Sequence, residues 1–127
     1  MIAVDASAVL AIYFEEPEAA IFQDALRGRG GVMSAVNYWE VLARSHRVYG
    51  PAGVQGAERL LEALGVRIAA ASAIEARQAY EAFARFGRGA GPLNLGDCFA
   101  YALAQAEGDG LLFKGGDFPK TDIRSVI

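Results

Sequence analysis

Ile2-Ala3-Val4-Asp5-Ala6-Ser7-Ala8-Val9-Leu10 carries the reading of the fold. Three apolar residues in a row predict a short buried strand, which meets a carboxylate at Asp5. From Ala6 to Phe14 the residues are apolar and helix-compatible, and Asp5 is placed to cap that helix.

Working outward, the same alternation returns. Glu15-Glu16-Pro17-Glu18 breaks the first helix, and Ala19 to Leu26 carries a second. It stops at Gly28-Arg29-Gly30-Gly31. Val32-Met33 is a short strand. Ser34 caps a helix to about Tyr49, closed by Gly50-Pro51, and Val54 to Leu64 reads as another helix. Val66 to Ala70 is a strand candidate. Ser72 starts a helix to about Phe86, with Ile74, Tyr80, Phe83 and Phe86 mostly at i, i+3 steps. Gly87 to Gly96 is a loop, and Asp97 opens a helix to about Ala106. Leu111 to Phe113 is a strand, Gly115-Gly116-Asp117 a turn, and Ile123 to Ile127 a last strand. Short apolar strands separated by helices predict an α/β fold, with a mainly parallel sheet covered on both faces.

The 127 residues suit one domain over 1–127, with no repeat or linker. An apolar share of 54% against 21% charged residues excludes a disordered chain. Mean hydropathy is +0.22, yet no apolar run approaches the ~18–20 residues of a membrane span. The N-terminus has no basic region before its apolar residues, so it does not read as a signal peptide. Cys98 is the one cysteine and has no internal disulfide partner, which fits a reducing, cytoplasmic setting. The net charge of −3, taken alone, counts against a nucleic-acid binder. Its distribution is uneven. Residues 1–24 hold five acids and no Lys or Arg, whereas residues 25–88 hold nine Arg and five Glu. Read alone, that split is an ordinary solvated surface.

Four acids stand out. Asp5 and Asp117 follow strands, and the carboxyl ends of parallel strands share one edge, where ligands bind. Asp97 starts a helix, and helices of such folds often start on that edge. Glu40 sits in Tyr38-Trp39-Glu40-Val41-Leu42-Ala43, where a carboxylate must be solvated, paired or metal-bound. Singly, each has a plainer role as a cap, a turn residue or an exposed helix position. Together they can share one pocket. Clustered carboxylates repel, and oxygen-only ligands suit Mg²⁺ or Mn²⁺ rather than zinc. Such a site performs metal-assisted hydrolysis.

Other chemistries fare worse. Neither a Gly-x-x-x-x-Gly-Lys-Ser/Thr loop nor a Gly-x-Ser-x-Gly elbow is present. Cys98 reads as a buried inert thiol, and His46, the only histidine, as part of a solvated helix face beside Arg44 and Arg47. Trp39 reads as core rather than as a base-stacking platform.

The sequence resembles the VapC toxins, the ribonuclease members of the PIN-domain family, over nearly its whole length. Val4-Asp5-Ala6-Ser7-Ala8-Val9 looks like their strand-end Asp followed by a small hydroxyl residue. Ser34-Ala35-Val36-Asn37-Tyr38-Trp39-Glu40-Val41 resembles the segment carrying their helix Glu. The most specific match is Leu93-Asn94-Leu95-Gly96-Asp97-Cys98-Phe99-Ala100-Tyr101-Ala102-Leu103-Ala104. Leu111-Leu112-Phe113-Lys114-Gly115-Gly116-Asp117-Phe118, then Thr121-Asp122-Ile123, is similar to their C-terminal signature.

The resemblance implies a three-layer α/β/α fold and an acidic metal site of Asp5, Glu40, Asp97 and Asp117, supported by Ser7 and Asn94. It also implies Mg²⁺ or Mn²⁺ dependence, RNA cleavage, a VapB-type antitoxin and a homodimer. On that footing Arg44, Arg47, Arg85 and Arg88 become the candidate contacts to RNA phosphates. Gly116 departs from the pattern, since relatives often carry a polar residue there, and Asp117 is the only acid of its turn. Asp122 reads as structural. Two rival readings stay open. A haloacid-dehalogenase-type phosphatase would need an acid two residues after Asp5, where Ser7 stands. A non-catalytic interaction domain with this fold would have no need of all four acids.

Overall fold

In the computed structural model, which describes residues 1–89 and 92–127, β1 (Ile2–Val4) is wholly buried. Ala90 and Gly91 belong to the glycine-rich segment read as a loop and lie outside the described residues. β1 pairs in parallel with β2 (Gly31–Ser34) on one side and with β4 (Leu111–Leu112) on the other. β2 pairs in parallel with β3 (Val66–Ala69), giving the order β3-β2-β1-β4. The run Ile-Ala-Val is apolar at every position because both faces of the sheet are covered.

Successive side chains leave a strand on opposite faces. Ile2, Val4, Met33 and Leu112 enter a core shared with α1 (Ala6–Tyr13), α2 (Ala19–Leu26) and α3 (Ala35–Ala63). Ala3 and Leu111 point the other way, into a second core with α4 (Ala73–Phe86) and α5 (Leu95–Glu107). The architecture is the expected three-layer α/β/α. Burying one Val or Met side chain of these cores contributes about 1.5–3 kcal/mol.

The helices predicted on either side of Gly50-Pro51 are both present and meet end to end across a kink, whereas two other expectations change. Gly50 takes φ +71, a region open to glycine, and Pro51 starts the second half, where its missing N–H leaves no bond unmade. On α4 the helix is as predicted but its buried side is not. Ala79 and Ala82 are buried, while Ile74, Tyr80 and Phe83 lie exposed. Alanines let the middle of α4 lie close against α5, and at its end the Phe86 ring packs edge-on against Tyr101. Finally, the predicted strand Ile123–Ile127 reduces to one parallel bridge between Ser125 and Leu111. Side-chain bonds hold that tail instead: the Tyr101 hydroxyl and Arg85 both donate to Asp122.

The strand order reverses its direction of growth at β1, since β2 lies on one side and β4 on the other. The crevice outside the carboxyl ends of β1 and β4 is therefore the place for a ligand.

Candidate active site

Asp5 leaves the end of β1 and caps α1, 6% exposed. The Ser7 N–H and the Ser7 hydroxyl donate to its Oδ2 at 3.0 and 2.5 Å. The Ser7 hydroxyl in turn accepts the Lys114 N–H at 2.9 Å, tying this corner to the segment after β4. Burial pushes the Asp5 carboxyl up to about 6, against the pull of the Ser7 bonds, and the nearby charge of Glu40 adds to the rise.

Asp97 is not the first residue of its helix, as the sequence predicts. Asn94 is the cap, and Asp97 stands three residues on. The Asp97 N–H donates to Asn94 Oδ1 at 2.8 Å, and the Asn94 N–H donates back to Asp97 Oδ2 at 3.0 Å. This reciprocal box satisfies two helix-end donors and fixes the acid at the sheet edge. Burial also raises Asp97 to about 6, with repulsion from Asp5 and Asp117 added.

Glu40 lies near the start of α3, half-buried. Asn37, fully buried three residues earlier, donates its amide to Glu40 Oε1 at 2.8 Å and to the Gly96 carbonyl at 3.0 Å. Burial raises the Glu40 pKa; the Asn37 bond opposes this and Asp97 reinforces it. Gly96 faces the same carboxylate so closely that a Cβ there would collide with it. Asp117 is exposed and precedes a short 3₁₀ turn, Phe118–Lys120.

All four acids, together with Ser7, Asn94, Arg44 and Arg47, line one cleft of about 360 Å³. The acids arrive from four segments: the end of β1, the second turn of α3, the first turn of α5 and the turn that follows β4. Among the described residues, no three His, Cys, Asp or Glu side chains are drawn together as a preformed ligand cluster. The arrangement is an anionic cleft with two buried carboxyls displaced toward neutrality, flanked by two guanidinium groups.

Trp39 overturns its reading as core. It is 68% exposed and lines the cleft. The buried stripe of α3 begins Asn37, Val41, Ser45, and Trp39 stands about 160° round the helix from it at 3.6 residues per turn. Arg85 and Arg88 do not line the cleft. Arg85 packs against α5, donating to the Tyr101 hydroxyl at 3.1 Å and pairing with Asp122 at 3.3 Å. Arg88 is exposed beyond the end of α4. Asp122 is structural, Cys98 is buried and His46 is exposed, all as expected. Two contributors escape a sequence reading. Asn37 was signalled only by its i, i+3 spacing from Glu40. Lys114 lines the cleft while its ammonium pairs with Glu16 and Glu18 at 3.0 and 3.5 Å.

The family model described as PIN domain matches residues 2–124. Over 125 residues the chain is 44% identical to ribonuclease VapC42 of Mycobacterium tuberculosis (strain ATCC 25618 / H37Rv), with 95% of each chain covered. It is 37% identical over 127 residues to ribonuclease VapC of Mycolicibacterium smegmatis, covering 97% of this chain and 98% of that one. Among solved structures it is similar to Mycobacterium tuberculosis VapC20, described as a sarcin-ricin loop cleaving toxin, with a TM-score of 0.77. That match covers 98% of this chain and 97% of the other at 18% identity, and speaks for the fold.

Proposed function

Since the chain belongs to the PIN-domain family, among the VapC ribonucleases, we propose that it is a toxin endoribonuclease that hydrolyses RNA phosphodiester bonds at the carboxylate cleft with a divalent metal ion. One observation carries the reading: Asp5, Glu40, Asp97 and Asp117, from four separate segments, line a single cleft. Isolated buried charges are costly, and a protein places several together where a cation compensates them.

The donor set fits Mg²⁺ or Mn²⁺. The cleft offers carboxylates, a hydroxyl and an amide, with neither His nor Cys lining it. Asp5, Asp97 and Asp117 would hold the ion, directly or through water. When bound, it supplies a lowered pKa for water and stabilises charge on the phosphate.

The remaining work falls to the chain. Glu40, held by Asn37, completes the shell or orients the attacking water. Ser7 and Asn94 fix the orientations of Asp5 and Asp97. Arg44 and Arg47 hold phosphates beside the cut, so the acidic cleft meets a polyanion through a basic rim. The proposal includes a VapB-type antitoxin that restrains the toxin, a homodimer, and action in the cytoplasm. No helix among the described residues is long and apolar enough to cross a membrane.

The test is cleavage of total RNA by the wild-type chain and by Asp5→Asn, each with Mg²⁺ or Mn²⁺ and with chelator. Cuts should require both the metal and Asp5. Full activity of the variant, or equal activity in chelator, would sink the assignment.

A further inference from the structure

We propose that the Trp39 indole is the stacking platform for an unpaired nucleobase of the RNA that lies against the scissile phosphodiester. The proposal rests on the ribonuclease reading above and names the group that selects the substrate's conformation at that cleft.

A tryptophan on the first turns of a helix usually serves the core, yet this one is 68% exposed. Among the described residues no aromatic ring or guanidinium stacks on it. Its neighbours say what could. The cleft is lined from α3 by Trp39, Glu40, Ala43, Arg44 and Arg47, one face of the helix by spacing. Trp39 stands at the acid end, next to Glu40. Arg47 stands about 12 Å along, at 1.5 Å rise per residue. One helical face therefore presents, in order, a flat π-surface, an acid for the chemistry and two cations. A nucleotide strand offers the same alternation of base and phosphate. A small apolar ligand would not use Arg44 and Arg47. An acidic peptide would use them but brings no ring of a size to cover an indole at every residue.

Stacking needs a base face that is free. In an A-form duplex the faces are already stacked on their neighbours, whereas loops and single strands can splay a base onto an aromatic side chain. Trp39 therefore makes the cleft selective for a phosphodiester beside an unpaired base. Losing a stacked base weakens binding by about tenfold or more. The effect falls on KM, because Trp39 holds the strand and touches no reacting atom.

Trp39 is the only tryptophan in the chain, so its emission reports on this position alone. The experiment titrates the full-length Asp5→Asn variant, in Mg²⁺, with an unpaired oligoribonucleotide and with the same sequence as a duplex. In parallel, cleavage kinetics are measured for the wild type, Trp39→Ala and Trp39→Phe. Saturable quenching by the unpaired strand only is expected. So is a KM raised about tenfold or more in Trp39→Ala with little change in kcat, largely restored in Trp39→Phe. If RNA binds and is cut without quenching, and Trp39→Ala cuts with the wild-type KM, the proposal is overturned and the ribonuclease reading stands. If the wild type neither binds nor cuts RNA, both fail together. Emission that shifts to the blue with protein concentration in the absence of RNA would assign Trp39 to contact between copies and would also overturn it.

Discussion

Replacing Asp5 by Asn should make the metal-free protein more stable while removing its proposed activity. Asp5 is 6% exposed, and its carboxyl rises from 3.8 to about 6, chiefly through burial. Each pH unit of displacement corresponds to about 1.4 kcal/mol between the two protonation states. The charged form of Asp5 therefore burdens the fold by about 3 kcal/mol at neutral pH. Asn has the shape of the protonated acid, remains a good helix cap and can still accept from Ser7. The sign follows from proton counting. Between 3.8 and about 6 the folded chain keeps a proton that the unfolded chain has released, so wild-type stability falls as pH rises through that window. The advantage of the variant should be near zero at about pH 4 and reach about 2–3 kcal/mol above about pH 6. Urea unfolding of both proteins in chelator across this range measures it. Adding Mg²⁺ should then narrow the gap, because an ion held by the folded wild type stabilises it by mass action. A variant less stable than the wild type at neutral pH, or an advantage unchanged down to about pH 4, would refute the reasoning.

Two further variants, one single and one double, probe other walls of the cleft. Gly96→Ala places a Cβ on the Glu40 carboxylate, and cleavage should fall roughly tenfold to a hundredfold with helical content unchanged, as kinetics and circular dichroism would report. Arg44→Ala combined with Arg47→Ala should weaken RNA binding and lower the salt dependence by roughly 0.7 per lost phosphate contact to a single strand, while Arg85→Ala leaves that slope unchanged.

Much of this was legible in the residues. The strand-end position of Asp5 and the start of α5 placed two acids on the sheet edge, because a parallel sheet has only one edge where strands end. Glu40 was legible as an acid among apolar neighbours. Trp39 was not. The rotation of α3 is set by Asn37, Val41 and Ser45, and two of those three are polar residues that a hydropathy pattern assigns to solvent. Asn37 is buried because it joins Glu40 to the Gly96 carbonyl across 59 positions of sequence, a contact with no local signal. The face of α4 was misjudged for a related reason. Its burial is decided by how closely alanines let two helices approach, not by which side chains are largest. Arg85 and Arg88 fell outside the cleft because charge alone does not say which side of a helix looks toward the sheet edge.

The strand order carries a consequence for synthesis. β1, which supplies Asp5, waits for β4, made more than a hundred positions later, to pair with it and bring Asp117 alongside. The first acid, Asp5, is made early, and the last, Asp117, is made after α1 to α5. Until that segment is made, β1 has no strand on its β4 side and the cleft lacks the wall that carries Asp117.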